Sequence, residues 1–156
     1  MSHITPIIRD EAWDIDTLKR MCADQGWVFS ENQQTYTWYG KFVGDSPLPA
    51  GVNLEDLGKC HHAIQIPGAA YEIGVVCKDG QVNLLYDFWK WGGLLDALGE
   101  NAWKLNMAYD LSKARMAAEA RGQSWQMEGL TYDDMVKIGQ YSAFGWQKMT
   151  VEVRGW

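Results

Sequence analysis

The sequence predicts an α+β domain in which an antiparallel sheet is covered on one face by two main helices. Three observations carry this expectation. Lys59–Phe88 reads as three successive strands joined by two tight turns. Ile15–Gln25 and Leu94–Gly122 carry apolar residues at helical spacing. Strands come in runs with helices before and after them, not in strict alternation with helices. A split βαβ arrangement of the ferredoxin-like kind is the specific expectation. The 156 residues fit one domain, 1–156, with a long surface loop at 44–58.

Ile4–Ile8 is a short apolar run containing Pro6, which removes a ladder donor and marks an edge strand. Asp14 is placed to cap a helix over Ile15–Gln25, with Gly26 as its stop. Trp27–Phe29 is a short strand, and Thr35–Val43, rich in β-branched and aromatic residues, is predicted to be another. Gly44–Gly58, with two prolines and two glycines beyond its first residue, is the loop, with one helical turn at Val52–Leu57. Asp79-Gly80 is a two-residue hairpin signal. If both central turns are regular, Ile64 pairs with Ile73, His62 with Val75, Cys60 with Cys77, Cys77 with Val82 and Val75 with Leu84, all on the core face. The other face then carries His61, Ala63 and Gln65 beside Glu72, Gly74 and Val76 and beside Asn83, Leu85 and Asp87. Its end row is Gln65–Glu72–Asp87. Leu98, Ala102, Leu105, Tyr109 and Met116 form the stripe of one long helix over Leu94–Gly122. Ser124–Met127 reads as a strand, Thr131–Ile138 as a short helix and Gln147–Arg154 as a terminal strand.

Lys and Arg total 14 against 20 Asp and Glu, a net charge of −6. This argues against nucleic acid as the main partner and against docking on anionic membranes, since both need a basic surface. No run of about 18 apolar residues is present to span a bilayer. The opening Met1–Pro6 shows no basic or apolar leader segment, and three scattered cysteines suit free thiols, so a cytoplasmic protein is expected.

The opening Met1-Ser2-His3, the strand Tyr71-Glu72-Ile73-Gly74, the strand Leu85-Tyr86-Asp87 with Trp89 and Trp91 after it, and the helix bearing Tyr109 together resemble a family. It is the conserved hypothetical proteins encoded by chloroplast and cyanobacterial genomes, with relatives in tailed phages. Gly40–Lys59 and Gly129–Gly145 stand as additions relative to the short plastid members. The resemblance implies no settled activity, cofactor or partner. For a phage member it implies an accessory role toward host physiology or defence.

Four constellations are candidates for function. Glu72 and Asp87 are predicted to lie opposite each other on the outer sheet face, with Gln65 in the same row and His61 nearby. Like charges so placed are destabilising unless solvated or bridged, and two neighbouring carboxylates also suit acid/base work. The plain alternative is a pair of solvated acids, or acids paired with Lys90 or Arg115. Cys60, His62 and Cys77 share the predicted core face and are good zinc ligand types, but paired ligand spacing and a fourth ligand are missing, so no metal is assigned. Nine tryptophans exceed what a small core takes up, which favours aromatic surface. Among them Trp38, Trp89 and Trp91 are binding candidates; Trp89-Lys90-Trp91 precedes Gly92-Gly93 and a helix start, where a planar, nucleotide-like ring could stack. The same residues could instead plug the end of the core. The basic side of the long helix, with Lys104, Lys113, Arg115 and Arg121, reads as a solvated face.

The expected function is a non-enzymatic binding or interaction module with no cofactor, taking a protein partner, a second copy of itself or a nucleotide-like small molecule. The alternative is a small hydrolase-like or transferase-like enzyme using Glu72 and Asp87.

Overall fold

In the computed structural model the described residues are 3–42, 48, 51–125 and 153–155. The elements run β1 (Ile4–Pro6), α1 (Ile15–Gln25), β2 (Val28–Glu31), β3 (His62–Gln65), β4 (Ile73–Lys78) and β5 (Gln81–Asp87). They continue with α2 (Leu94–Leu98), α3 (Trp103–Ala120), β6 (Gln123–Trp125) and β7 (Val153–Gly155). Five strands form one antiparallel sheet in the order β1-β5-β4-β3-β2, and β6 pairs with β7 in a separate ribbon. The predicted helix at Thr131–Ile138 and the part of the predicted terminal strand before Val153 lie outside the described residues.

The central ladder has the register that the two turns imply. Ile64 faces Ile73 and His62 faces Val75, while Val75 faces Leu84 and Cys77 faces Val82. Asp79 and Gly80 both take left-handed backbone, φ 52° and 76°, between the paired Lys78 and Gln81, which is the conformation a two-residue hairpin with the right twist requires. Ile64, Ile66, Ile73, Val75, Leu84 and Tyr86 are buried in one core with Leu18, Met21 and Cys22 of α1, Leu94 and Leu98 of α2, and Leu105, Ala108 and Tyr109 of α3. The helices therefore cover one face of the sheet, as burial of an apolar stripe demands.

α1 starts and stops on the predicted residues. Asp14 accepts the Thr17 N–H at 2.9 Å, and Gly26 closes the helix at φ 74°. The Tyr109 hydroxyl, from within α3, accepts the Asp14 N–H at 2.8 Å, tying the start of α1 to α3. Arg9 lies over the rings of Tyr109 (4.4 Å) and Trp13 (5.4 Å) and bonds Asp110.

The structure departs from the sequence reading in three places. α1 carries the chain from one sheet edge to the other, so three strands separate β1 from β2; a split βαβ unit of the ferredoxin kind leaves one between. The long helix is broken: Gly99 is non-helical and Asn101 and Ala102 are left-handed, φ 56° and 51°, so α2 ends and α3 restarts. Thr35–Phe42 joins no sheet strand. It has one isolated bridge, Thr35 to Lys59, and otherwise runs as an extended strap over the sheet face away from the helices.

Candidate functional site

The strap makes a second, smaller core. Tyr36 packs with Ile4, Cys60, Ala63 and Leu85, and half-buried Trp38, Val52, Leu57 and Val76 join them. The face expected to meet solvent is thus covered along its Ala63–Gly74–Leu85 row, all three residues being buried. Gly74 is required there, because a Cβ would stand 2.4 Å from the Tyr36 ring.

Both acids hold this strap. Glu72 accepts the Thr37 N–H and hydroxyl at 2.8 Å each, the Gln33 side-chain amide at 3.1 Å and the Gln65 side-chain amide at 2.5 Å. Asp87, wholly buried, accepts the N–H groups of His3 (2.9 Å), Trp89 (3.0 Å) and Tyr39 (3.1 Å). Thr37 and Tyr39 are two residues apart, so alternate amides of one extended segment, pointing the same way, each meet a carboxylate. Burial pushes the Glu72 carboxyl up, but the bonds from Gln33, Thr37 and Gln65 outweigh it and hold it below the ordinary carboxylate range.

This corrects the picture of two solvated acids side by side. Glu72 and Asp87 are on the predicted face, but Glu72 lies beyond the end of β4 and gives its own N–H to Thr37. Asp87 faces Ile4 of β1. Neither meets Lys90, which lies 4.7 Å over Trp91, or Arg115, which pairs with Asp24 at 3.1 Å. Lys113 is likewise taken, by Glu11 at 2.5 Å.

The cysteine and histidine set is split by the backbone. His62 faces Val75, yet His61 also donates its N–H to the Val75 carbonyl at 2.8 Å. Two residues against one make a bulge, which turns Cys60 to the strap side, where its thiol donates to the Gln33 carbonyl at 3.1 Å. Cys77 instead faces Val82, which packs on the main core, so Cys60 and Cys77 lie on opposite faces and not opposite each other. Among the described residues no three His, Cys, Asp or Glu groups come together as metal ligands. His61 and His62 each accept a backbone N–H through Nδ1, from Cys77 and Asn32, both at 3.0 Å.

The three singled-out tryptophans do not share a site. Trp38 belongs to the second core and lies against Gly58. Trp89 is half-buried beside His3, ring centroids 5.6 Å apart. Trp91 is 72% exposed. Beneath the Trp89–Gly93 junction the space is filled: Tyr71 packs where a Gly92 side chain would go, and Ala70 and Tyr71 donate to the Gly92 carbonyl. α2 has only five residues, and its N-cap Gly93 makes no side-chain cap bond.

A concave feature lies elsewhere, at the other end of the strap-covered face. A groove of about 1250 Å³ has Val76, Asn83 and Leu85 on its floor, with Pro6 at one edge. One wall comes from Ile7–Trp13, the other from Thr35, Val52, Lys59 and His61. Of the candidates read from the sequence, Cys60, His61 and Cys77 are in its lining, and Glu72, Asp87, Gln65, Trp38, Trp89 and Trp91 are not. Val52, Lys59, Lys78 and Asn83 were not singled out. The long loop Gly44–Gly58 points to Val52 alone, and no sequence signal marks Lys59, Lys78 or Asn83.

No family model matches this chain, and no curated protein or solved structure is similar to it.

Proposed function

We propose that this chain is a binding module without catalytic machinery, its ligand seated in the groove beside the strap. The observation that carries this reading is the division of labour on the second sheet face. The two carboxylates an enzyme would need are committed to amide and hydroxyl donors that fix the strap. The cleft of about 1250 Å³ next to them joins an apolar part, with Val52, Val76 and Leu85, to walls rich in polar and charged side chains, so it offers both apolar contact and orienting groups to a ligand. An accessory role of this kind suits the proposed kinship with plastid, cyanobacterial and phage proteins. The test is native mass spectrometry and untargeted small-molecule analysis of the purified chain, alongside Asn83→Trp, which fills the groove from an exposed position. A bound small molecule lost in the variant supports the reading. No bound species, and no thermal stabilisation by any member of a metabolite library, overturns it.

A second reading, contact with a protein or with another copy, is favoured by Trp91 and Tyr39, which are 72% and 44% exposed. Light scattering of the wild type and of Trp91→Ala tests it. A monodisperse monomer in both, with no change in any captured partner, removes it.

A further inference from the structure

We propose that the groove takes an aliphatic anion, its charged head at Lys59, His61 and Lys78 and its chain along Val76, Leu85 and Val52. This rests on the reading of the groove as the ligand site and adds the chemistry of the ligand.

The apolar part of the groove is aliphatic. Its one indole, Trp13, is buried and already meets Tyr109 edge-on at 4.8 Å. No phenyl or phenol ring lines it. A nucleobase would want a free ring to stack on, and Trp38, Trp89 and Trp91 are all outside the lining.

The charges divide between the two walls. On the Ile7–Trp13 wall Arg9 is bonded by Asp110 and Glu11 by Lys113, so these cancel, leaving Asp10. On the hairpin side Lys78 donates Nζ to the Gly51 carbonyl at 3.2 Å, a neutral acceptor that leaves its charge uncompensated. Among the described residues no acid forms an ion pair with Lys59 or Lys78. Asp56, the acid on that side, accepts the Asn53 N–H at 3.2 Å, again a neutral partner, so it keeps its charge and this side carries two cations against one acid. His61 uses Nδ1 to accept from Cys77, so its neutral ring carries its proton on Nε2 as a donor. Two ammonium groups and an imidazole N–H beside an apolar floor, in a chain of net charge −6, single out this end of the groove for an anionic head.

The probes are octanoate, decanoate and dodecanoate below their micelle concentrations, with decanol as the neutral match, decyltrimethylammonium as the cation and adenosine monophosphate as the planar anion. Binding is read by calorimetry on the full chain, for the wild type and for Asn83→Trp. Affinity is expected to rise about two- to fourfold per methylene. The Lys59→Gln/Lys78→Gln variant, both sites being exposed, should bind decanoate at least tenfold more weakly and decanol unchanged. Decanoate should bind the wild type and fail to bind Asn83→Trp. Equal binding of decanol, decanoate and the cation, indifferent to the lysines, overturns the anionic head and leaves the groove reading standing. Adenosine monophosphate binding more tightly than decanoate overturns the aliphatic body. Binding of none of the probes overturns this proposal, while a different small molecule found on the purified chain and lost in Asn83→Trp would still uphold the groove.

Discussion

Gly74 lies directly beneath the ring of Tyr36, so close that any side chain at 74 would displace the strap. A Cβ there would be 2.4 Å from Tyr36 Cδ1 and 2.6 Å from Cε1. Gly74→Ala should therefore cost about 2–4 kcal/mol, as overpacking does when a rigid ring must move. Adding Tyr36→Leu should recover part of the loss. Equal stability of Gly74→Ala and wild type in urea would show that the ring does not sit on the glycine.

Tyr36 itself makes a complementary prediction. Among the described residues its buried hydroxyl has no partner in good hydrogen-bond geometry, and burial pushes it up to about 12 against the smaller pull of the nearby Gly58 backbone. Removing an unsatisfied buried polar atom while keeping the ring is neutral or favourable. Tyr36→Phe should hold or raise the melting temperature by a few degrees, and a clear drop would reveal a partner for the hydroxyl.

Glu72→Gln should destabilise by about 1–3 kcal/mol, because the new amide sets a donor against the donors of Gln33, Thr37 and Gln65. Asp87→Asn should act in the same direction through the three backbone N–H groups it serves. A merely repulsive surface pair would give the opposite sign. The pH dependence follows from the lowered Glu72 carboxyl. A depressed folded-state value means stability that is present above the unfolded value and lost as pH falls through the folded one. Wild type should therefore lose stability more steeply than Glu72→Gln between roughly pH 5 and 3, measured by denaturant titration at each pH.

The thiols should react in a fixed order. Burial pushes Cys22 to about 12 and Cys60 to about 11, so neither offers thiolate near neutral pH. Cys77 is half-buried near the hairpin end of β4. Alkylation of the native chain followed by peptide mapping should mark Cys77 alone, with Cys22 and Cys60 marked only after unfolding. Early labelling of Cys60 would mean that the strap opens readily.

The break between α2 and α3 depends on Asn101 at φ 56°, where asparagine is tolerated and most side chains are not. Asn101→Ala should cost about 1 kcal/mol although the residue is exposed, and Asn101→Gly should be close to neutral. If alanine proved harmless, the two helices would not be held apart by this turn.

The central ladder was legible because each side of it is specified twice, by alternation and by a turn. Asp79-Gly80 sets one register, and Ile64 opposite Ile73 follows from the other turn. α1 was legible for the same reason, since Asp14 and Gly26 bracket an apolar stripe. The strap was not. Its tyrosines, tryptophan and threonines have strand-like preferences, but its amides are satisfied by Glu72 and Asp87, two side chains far away in sequence. A clue existed: Ala63, Gly74 and Leu85 make an apolar row on the face assigned to water, and such a row needs a cover. The bulge at His61 has no marker in composition, so the placement of Cys60 opposite Cys77 failed on one extra residue. The site was the least legible part, because it lies where a wall of loop meets a sheet face and no motif spans the two.

The placement of β1 and β2 at opposite margins bears on how the chain finds its fold. Neighbouring strands from β3 to β5 are linked by short turns and can zip in about 1–10 μs, as hairpins do. Ile4, by contrast, must travel to Asp87 before the last strand docks, and the strap can be latched only after His3, Tyr39 and Trp89 converge on that same carboxylate. Loop closure over such separations is entropically costly and slow. Refolding is thus expected to run from the middle outward, with the groove formed last, after the margins have closed around it.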